Sequence, residues 1–414
     1  MKRSKWAIAL LALVAALSLA SVMAACGSSS SSSGSSASAS AAPTGPIKVG
    51  HIVNLTGPEA MVGEGQAKVL EEAFKQMGPI NGRTVEVITE DAKGEAASAV
   101  DAARKLVESD HVVAIFGPTE IGQKMAVANY IKSVGIPQLT YNPSPTMAFE
   151  GNKWLVGTGG STNQPGSVMG DYLYGTAKWT TMNTLTEDNS AGRAFFDPLT
   201  QVFTSEGGKV LKQQWVPENV GDFSPYLTSL PPASGLAAWE PGGAGIKLFI
   251  QWYGLGLYKT MPIAAPFHGG FTDPFIPAAL PPKVAAEVVG TPASQGYAPD
   301  SQTPENQAFQ AAMTPVLGFP PADDGASGPW QAALVFQSGV NAANGDTSPD
   351  PLLAGILGST TVGPEGTTSF TGSNIATRTY FIVEVMAVPG QAKAFTYKTV
   401  KTYENVPPEG FTPQ

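Results

Sequence analysis

From Ile47 onward, short apolar runs alternate with stretches whose apolar positions recur every three or four residues. Ile47–Val53 reads as a strand, and Glu64–Met77 places Ala67, Leu70, Phe74 and Met77 on one helical face until Gly78-Pro79 ends it. Thr84–Thr89 alternates Val85 and Val87 with polar residues, Ala96–Val107 returns to helical period, and Val112–Phe116 is a buried strand. Gly122–Ser133 gives a third helix and Pro137–Thr140 a fourth strand. This βαβαβαβ order predicts a parallel sheet covered by helices.

Beyond Gly160 the pattern resumes with a strand at Met182–Thr186, a helix from Gly192 to Thr204, a strand at Val210–Val216 and a short helix at Pro225–Leu230. Apolar stretches follow at Leu236–Trp239, Ile246–Tyr253 and Pro262–Phe267, completing a second open α/β lobe. Asn306–Val316 and Trp330–Ala343 read as two more helices. The closing segments Tyr380–Val388 and Phe395–Tyr403 alternate in the manner of antiparallel strands. The expected fold class is therefore α/β with two Rossmann-like lobes, since about 370 residues exceed what one hydrophobic core organises.

The amino terminus is different in kind. Lys2, Arg3 and Lys5 precede an apolar run from Trp6 to Val22, and Met23-Ala24-Ala25 stands directly before Cys26. That order makes residues 1–25 a secretory signal peptide, and the Ala- and Ser-rich run falls short of the ~20 strongly apolar residues of a membrane-spanning helix. Cys26 is the only cysteine, which excludes an intramolecular disulfide. Its position resembles a bacterial lipobox, whose cysteine is lipidated and fixes the mature chain to a membrane; an incidental residue beside an ordinary cleavage site is the alternative. Residues 26–45 continue as Ser, Ala and Gly, a composition that cannot bury a core and serves as a tether.

Loss of the signal's three basic residues takes the net charge from −9 to about −12, so nucleic acid is not an expected partner. With His51, His111 and His268 the only histidines, the chain lacks a Gly-x-Ser-x-Gly elbow, a His-Glu-x-x-His pair, zinc-ligand spacing and a Walker A sequence. Gly63-Glu-Gly65 lacks the third glycine of a dinucleotide fingerprint. No catalysis, metal or cofactor is expected.

In open parallel sheets ligands bind outside the carboxyl ends of the strands. Those ends fall at Asn54–Pro58, Asp91, Gly117–Gly122, Tyr141–Ser144, Glu187–Ala191, Trp239–Gly242 and Phe267–Asp273. The succession Ile47-Lys-Val-Gly, Leu55-Thr-Gly-Pro58, Glu90-Asp91, Val113-Ala-Ile-Phe-Gly-Pro118 and Gly135-Ile-Pro137 resembles the amino-terminal lobe of leucine/isoleucine/valine-type solute-binding proteins. The resemblance runs over most of residues 46–405, its carboxyl-terminal half matching in pattern more than in motif. It implies a type I periplasmic-binding fold with three crossings, near Gly157–Gly160, Pro292–Gly296 and Val362–Ser369, without catalysis. Lobe 1 would comprise 46–160 with 293–362, and lobe 2 would comprise 161–292 with 363–414.

Carried over by position, the resemblance implies a first-lobe site at Val62, Thr119, Glu120, Ile121, Gly122, Asn142 and Ser144, where such proteins hold a ligand carboxylate. The second-lobe site would lie at Asn189, Ala191, Trp239, Glu240, His268 and Gly269. Ile121 stands where serine is expected, Ala191 replaces an aromatic, and Gly269 falls where a carboxylate would hold an ammonium; these departures argue against leucine. Tyr141 and Trp239 offer rings, while Glu120, Glu240, Asp273 and His268 offer polar ends. Each has a structural alternative: core packing for Trp239, solvated helix-start carboxylates for Glu120 and Glu240, and turn chemistry for Ser144-Pro145. The expected function is capture of a small organic solute (amino acid, amide or small acid) for delivery to an ABC permease. A ligand-sensing lipoprotein that signals to a membrane receptor and a secreted hydrolase are the alternatives.

Overall fold

The computed structural model describes residues 45–57, 59–218, 220–240, 242–265, 275–390 and 394–413. The expected signal peptide, Cys26 and the expected tether lie outside them. The first lobe is built from β1 (Ile47–Val53), α1 (Ala60–Met77), β2 (Val85–Asp91), α2 (Ala96–Arg104), β3 (Ile115–Phe116), α3 (Ile121–Val134), β4 (Gln138–Thr140) and β5 (Leu155–Gly157). Its five strands are all parallel, in the order β2-β1-β3-β4-β5, with Ile47 opposite Val85 and Val53 opposite Asp91. Six of the seven β1 residues, all but Lys48, are buried, because helices cover both faces.

The second lobe comprises α4 (Asn163–Asp171), β6 (Thr181–Glu187), α5 (Ser190–Ser205), β7 (Lys209–Val216), α6 (Ser224–Thr228), β8 (Gly235–Trp239), α7 (Gly242–Gly254), β9 (Ile263–Ala264), α8 (Phe275–Ala279), α9 (Pro282–Val288) and β10 (Pro292–Gln295). Strands β7-β6-β8-β9 form a parallel sheet, and a parallel bridge from Ala265 to Ala293 brings β10 alongside. The chain then supplies α10 (Pro304–Leu317), α11 (Asp324–Ala342), α12 (Pro349–Leu357), the hairpin β11 (Thr360–Gly363) and β12 (Gly366–Ser369), and the long strands β13 (Thr377–Ala387) and β14 (Phe395–Val406). Strand β13 is antiparallel to both β10 and β14.

The buried residues separate accordingly. Phe74, Phe116, Tyr297, Phe309, Trp330 and Phe336 share one cluster, which unites α1 and the first sheet with α10, α11 and α12. Leu173, Phe196, Phe203, Phe249, Trp252, Tyr380 and Tyr397 share another, which unites the second sheet with β13 and β14. The chain passes between the two around 157–162, 295–297 and 370–377. Val362–Ser369, expected as a crossing, instead forms the β11–β12 hairpin against α11, where Gln331 Nε2 donates to Thr368 Oγ1 at 3.0 Å.

Polar groups lace these passages together. Gln164 Nε2 donates to the carbonyls of Ala376 and Val406, while its Oε1 accepts from Ser161 N–H at 2.7 Å. Tyr380 donates to Gly159 O at 3.1 Å, Asn374 Nδ2 to Leu155 O at 2.6 Å, and Gly296 N–H to Asp324 Oδ2 at 2.8 Å. Arg378 of β13 and Glu365 of the β11–β12 turn form a buried ion pair beside Ser327 of α11.

Helix α4 is absent from the periodicity reading for a physical reason: every residue from Gln164 to Asp171 is buried, so no apolar stripe separates a wet face from a dry one. It also packs closely on α5. A Cβ on Gly166 would lie 2.4 Å from Phe195 O, and one on Gly170 would lie 2.6 Å from Leu199 O.

Candidate functional site

Strand β5 ends at Gly157 as the chain leaves the first lobe, and β10, parallel to β9, ends at Gln295 as it returns. The carboxyl ends of both parallel sheets therefore border the crossings, and each forms a rim of loops and helix starts.

The first rim is organised by side-chain to backbone hydrogen bonds. Asp91, at the end of β2, accepts from Leu55 N–H at 2.9 Å, Lys93 N–H at 2.8 Å and the Thr56 hydroxyl at 2.7 Å. Burial opposes its ionisation, but these bonds outweigh that and hold its carboxyl below the ordinary value. Buried Asn54 accepts from Gly94 N–H and Gln123 Nε2 and donates to Glu120 Oε1 at 3.4 Å. Gly63, in the first turn of α1, lies so close to this loop that a Cβ would be 2.0 Å from Asn54 O.

Glu120 precedes α3 but makes no capping bond; its carboxyl faces Asn54 and Glu59. Burial first, and Glu59 second, push it up to about 7. The Thr119 hydroxyl turns away to donate to Gln66 Oε1 at 2.6 Å. Ile121 is half-buried and Gly122 exposed at the start of α3, and Val62 is exposed in the first turn of α1.

Tyr141 lies in the lobe core, its hydroxyl 3.0 Å from His51 Nε2 and donating to Gln66 Oε1 at 3.3 Å. His51 is fully buried and pushed down to about 3 by that burial, so it is neutral. The next two residues are pinned by Lys124, whose Nζ donates to the carbonyls of Asn142 and Pro143 at 3.2 and 2.9 Å. Burial pushes this lysine down to about 7. Ser144 is buried, donates to Asn142 O and takes its backbone partner from Gly160, next to the crossing. The Asn142 Oδ1 atom is buried without a partner.

At the second rim, Asn189 caps α5 by accepting from Gly192 N–H at 2.9 Å. Its Nδ2 donates to Glu187 Oε2 and to Glu218 Oε1, each at 2.9 Å. Burial raises the Glu187 carboxyl above its ordinary value. Ala191 is half-buried against the lobe core. Trp239 ends β8 with its ring 5.6 Å from Phe195, so its packing is that of a core residue, yet its Nε1 is buried without an acceptor. Glu240 follows it, 1% exposed, with no partner for Oε1. Burial, then the neighbouring Glu187, push its carboxyl up to about 9. The expected His268, Gly269 and Asp273 lie outside the described residues.

Of the expected positions, Val62, Thr119, Glu120, Ile121, Gly122, Asn142 and Ser144 lie along the first rim and Asn189, Ala191, Trp239 and Glu240 along the second, while Tyr141 turns into the lobe core. Gln66, Glu59 and Lys124 were missed. Lys124 follows Glu120 by four residues and shares the buried face of α3 with Val127 and Ile131, a spacing that could have singled it out. Among the described residues, no group of three or more His, Cys, Asp or Glu is placed to hold a metal. Two surface cavities, one lined by Phe74, Pro79 and Val85 and one by Trp179, Trp252 and Ile263, lie at the amino-terminal ends of strands, away from both rims.

Two separately cored α/β lobes with paired strand-end rims define a bilobal binding protein. The chain belongs to the periplasmic binding protein family, whose model matches residues 46–391. It is similar in structure to an ABC transporter substrate-binding protein from Sphaerobacter thermophilus, with a TM-score of 0.79 and 23% identity over 87% of this chain and 98% of that one. A solute binding protein of an ABC transporter from Rhodopseudomonas palustris BisB5, solved with 3,4-dihydroxy benzoic acid, gives 0.78 and 21% over 87% and 98%. A leucine binding protein from Thermotoga maritima gives 0.76 and 17% over 86% and 99%. No protein of curated function matches the chain.

Proposed function

We propose that this protein captures a small organic solute between its two lobes and delivers it to an ABC permease, held at the outer face of the cell membrane by a lipid on Cys26. The observation that carries the reading is the pairing of two strand-end rims around crossings that are hydrogen-bonded to one another through Gln164, Asn374 and Tyr380. Family membership and the transport proteins similar in fold support it. The moving bodies are residues 46–157 with 297–369, and 162–295 with 377–413, divided at the three passages. Val62, Thr119, Glu120, Ile121, Gly122, Tyr141, Asn142 and Ser144 contribute from the first, and Asn189, Ala191, Trp239 and Glu240 from the second, together with His268, Gly269 and Asp273.

Function in this reading is mechanical. A solute that touches both rims favours the closed arrangement by its differential contacts, and the permease recognises that arrangement. The Ser/Ala/Gly tether keeps the encounter local. Thermal unfolding of the purified exported protein against amino acids, amides, amines and small acids tests the proposal. A binder at a hundredfold excess over Kd adds about 2.7 kcal/mol, read as a rise of several degrees in the midpoint; no rise with any solute class refutes capture. Cys26→Ser is expected to release the protein from the membrane fraction, and retention there would refute lipid anchoring.

A further inference from the structure

The rims are rich in carboxyl groups. Glu59 and Glu120 stand together on the first rim, and Glu187, Glu218 and Glu240 on the second. Among the described residues no lysine or arginine pairs with Glu120, Glu187 or Glu240. Lys124 is committed to two backbone carbonyls, and Arg193 pairs with Asp188 while lying over the Trp215 ring.

Glu240 adds a second, independent observation. It follows the last residue of β8 and shares its surroundings with Glu187, the last residue of β6, so its carboxyl stands on the rim. It is 1% exposed and Oε1 has no hydrogen-bond partner. A buried carboxyl is stable only when paired or protonated, and an unsatisfied buried acceptor marks where a donor belongs.

We infer that the solute is an organic amine, protonated and lacking a free carboxylate, whose N–H groups are taken by Glu240 and Glu187 and which meets Glu120 and Glu59 as the first rim approaches. This rests on the solute-capture reading. Its chemistry differs from that of the benzoic acid complex similar in fold, because a carboxylate entering here would approach Glu120 on one side and Glu240 on the other. A donor-rich cation instead satisfies both acceptors, and charge-assisted N–H···O bonds are about twice as strong as neutral ones.

The test is isothermal titration of the exported protein at pH 8 with putrescine, ethanolamine and methylguanidine, and separately with benzoate, acetate and leucine. At least one amine is expected to bind with an affinity tenfold or more above every carboxylate. Glu240→Gln is expected to weaken that amine at least tenfold and Glu120→Gln severalfold, with cooperative unfolding retained in both. Benzoate or leucine binding more tightly than the amines, unaffected by Glu240→Gln, overturns the amine assignment while leaving solute capture standing. No binding by either set, extended to neutral amides and sugars, overturns capture itself.

Discussion

On the first rim, Asp91 receives three donors and Asn54 bonds to Gly94, Gln123 and Glu120; on the second, Glu240 is more deeply buried than Asp91 and its Oε1 has no partner. Both sets sit at the carboxyl ends of parallel strands, so their difference is one of use rather than of position. The first rim spends its polar groups on shaping loops, and removing one should damage the fold. The second holds an acid in reserve, and removing its charge should relieve the fold while damaging binding.

The largest effect expected is at Asn54. Asn54→Ala strands Gly94 N–H and Gln123 Nε2 and should destabilise the unliganded protein by about 3 kcal/mol, measured by chemical denaturation. A neutral result would show that the first rim is no better tied than the second. Glu240→Gln should act with the opposite sign, raising stability by about 1–2 kcal/mol at pH 8 and not at pH 4.5. Destabilisation there would mean that the Glu240 carboxyl has a structural partner and the contrast fails.

Acid and base should act through different groups. His51, held near 3 against an ordinary 6.5, contributes stability present above pH 6.5 and lost as pH falls. Glu240, held near 9 against 4.5, contributes stability present below pH 4.5 and lost as pH rises toward 9, with Glu120 near 7 acting in the same direction. These three groups together place the maximum of the unfolding midpoint at about pH 4.5–5, and Lys124, held near 7 against 10.5, opposes the alkaline loss above pH 7. His51→Gln should flatten the acid side and Glu240→Gln the alkaline side; a profile unchanged by both would refute these assignments. The smallest effect is expected at Trp239→Phe, which keeps the ring against Phe195 and deletes the unpartnered N–H. Stability should change by less than about 1 kcal/mol, while solute affinity falls if that N–H is used in binding.

The same contrast explains how much was legible in advance. Strand β1 is found where the apolar run Ile47–Val53 places it, and β13 and β14 pair antiparallel as their alternation predicts. These elements have one environment along their length, so pattern and structure agree. Helix α4 and the β11–β12 hairpin were not legible: the first is buried all round, and the second takes its place from α11 and β13 rather than from its own alternation. At the site, the rims could be located from strand ends, but the inward turn of Tyr141 toward His51 and the pinning of Asn142 and Pro143 by Lys124 join residues 90 and 18 or 19 positions apart.

Local sequence determined the α/β alternation and which residues could stand at strand ends, because periodicity and turn chemistry act over a few residues. Tertiary structure alone decided that Asp91 would be satisfied and Glu240 left without a partner. A carboxyl's state depends on the donors that distant segments bring within 3 Å and on the water they exclude, and neither is written in the residue itself.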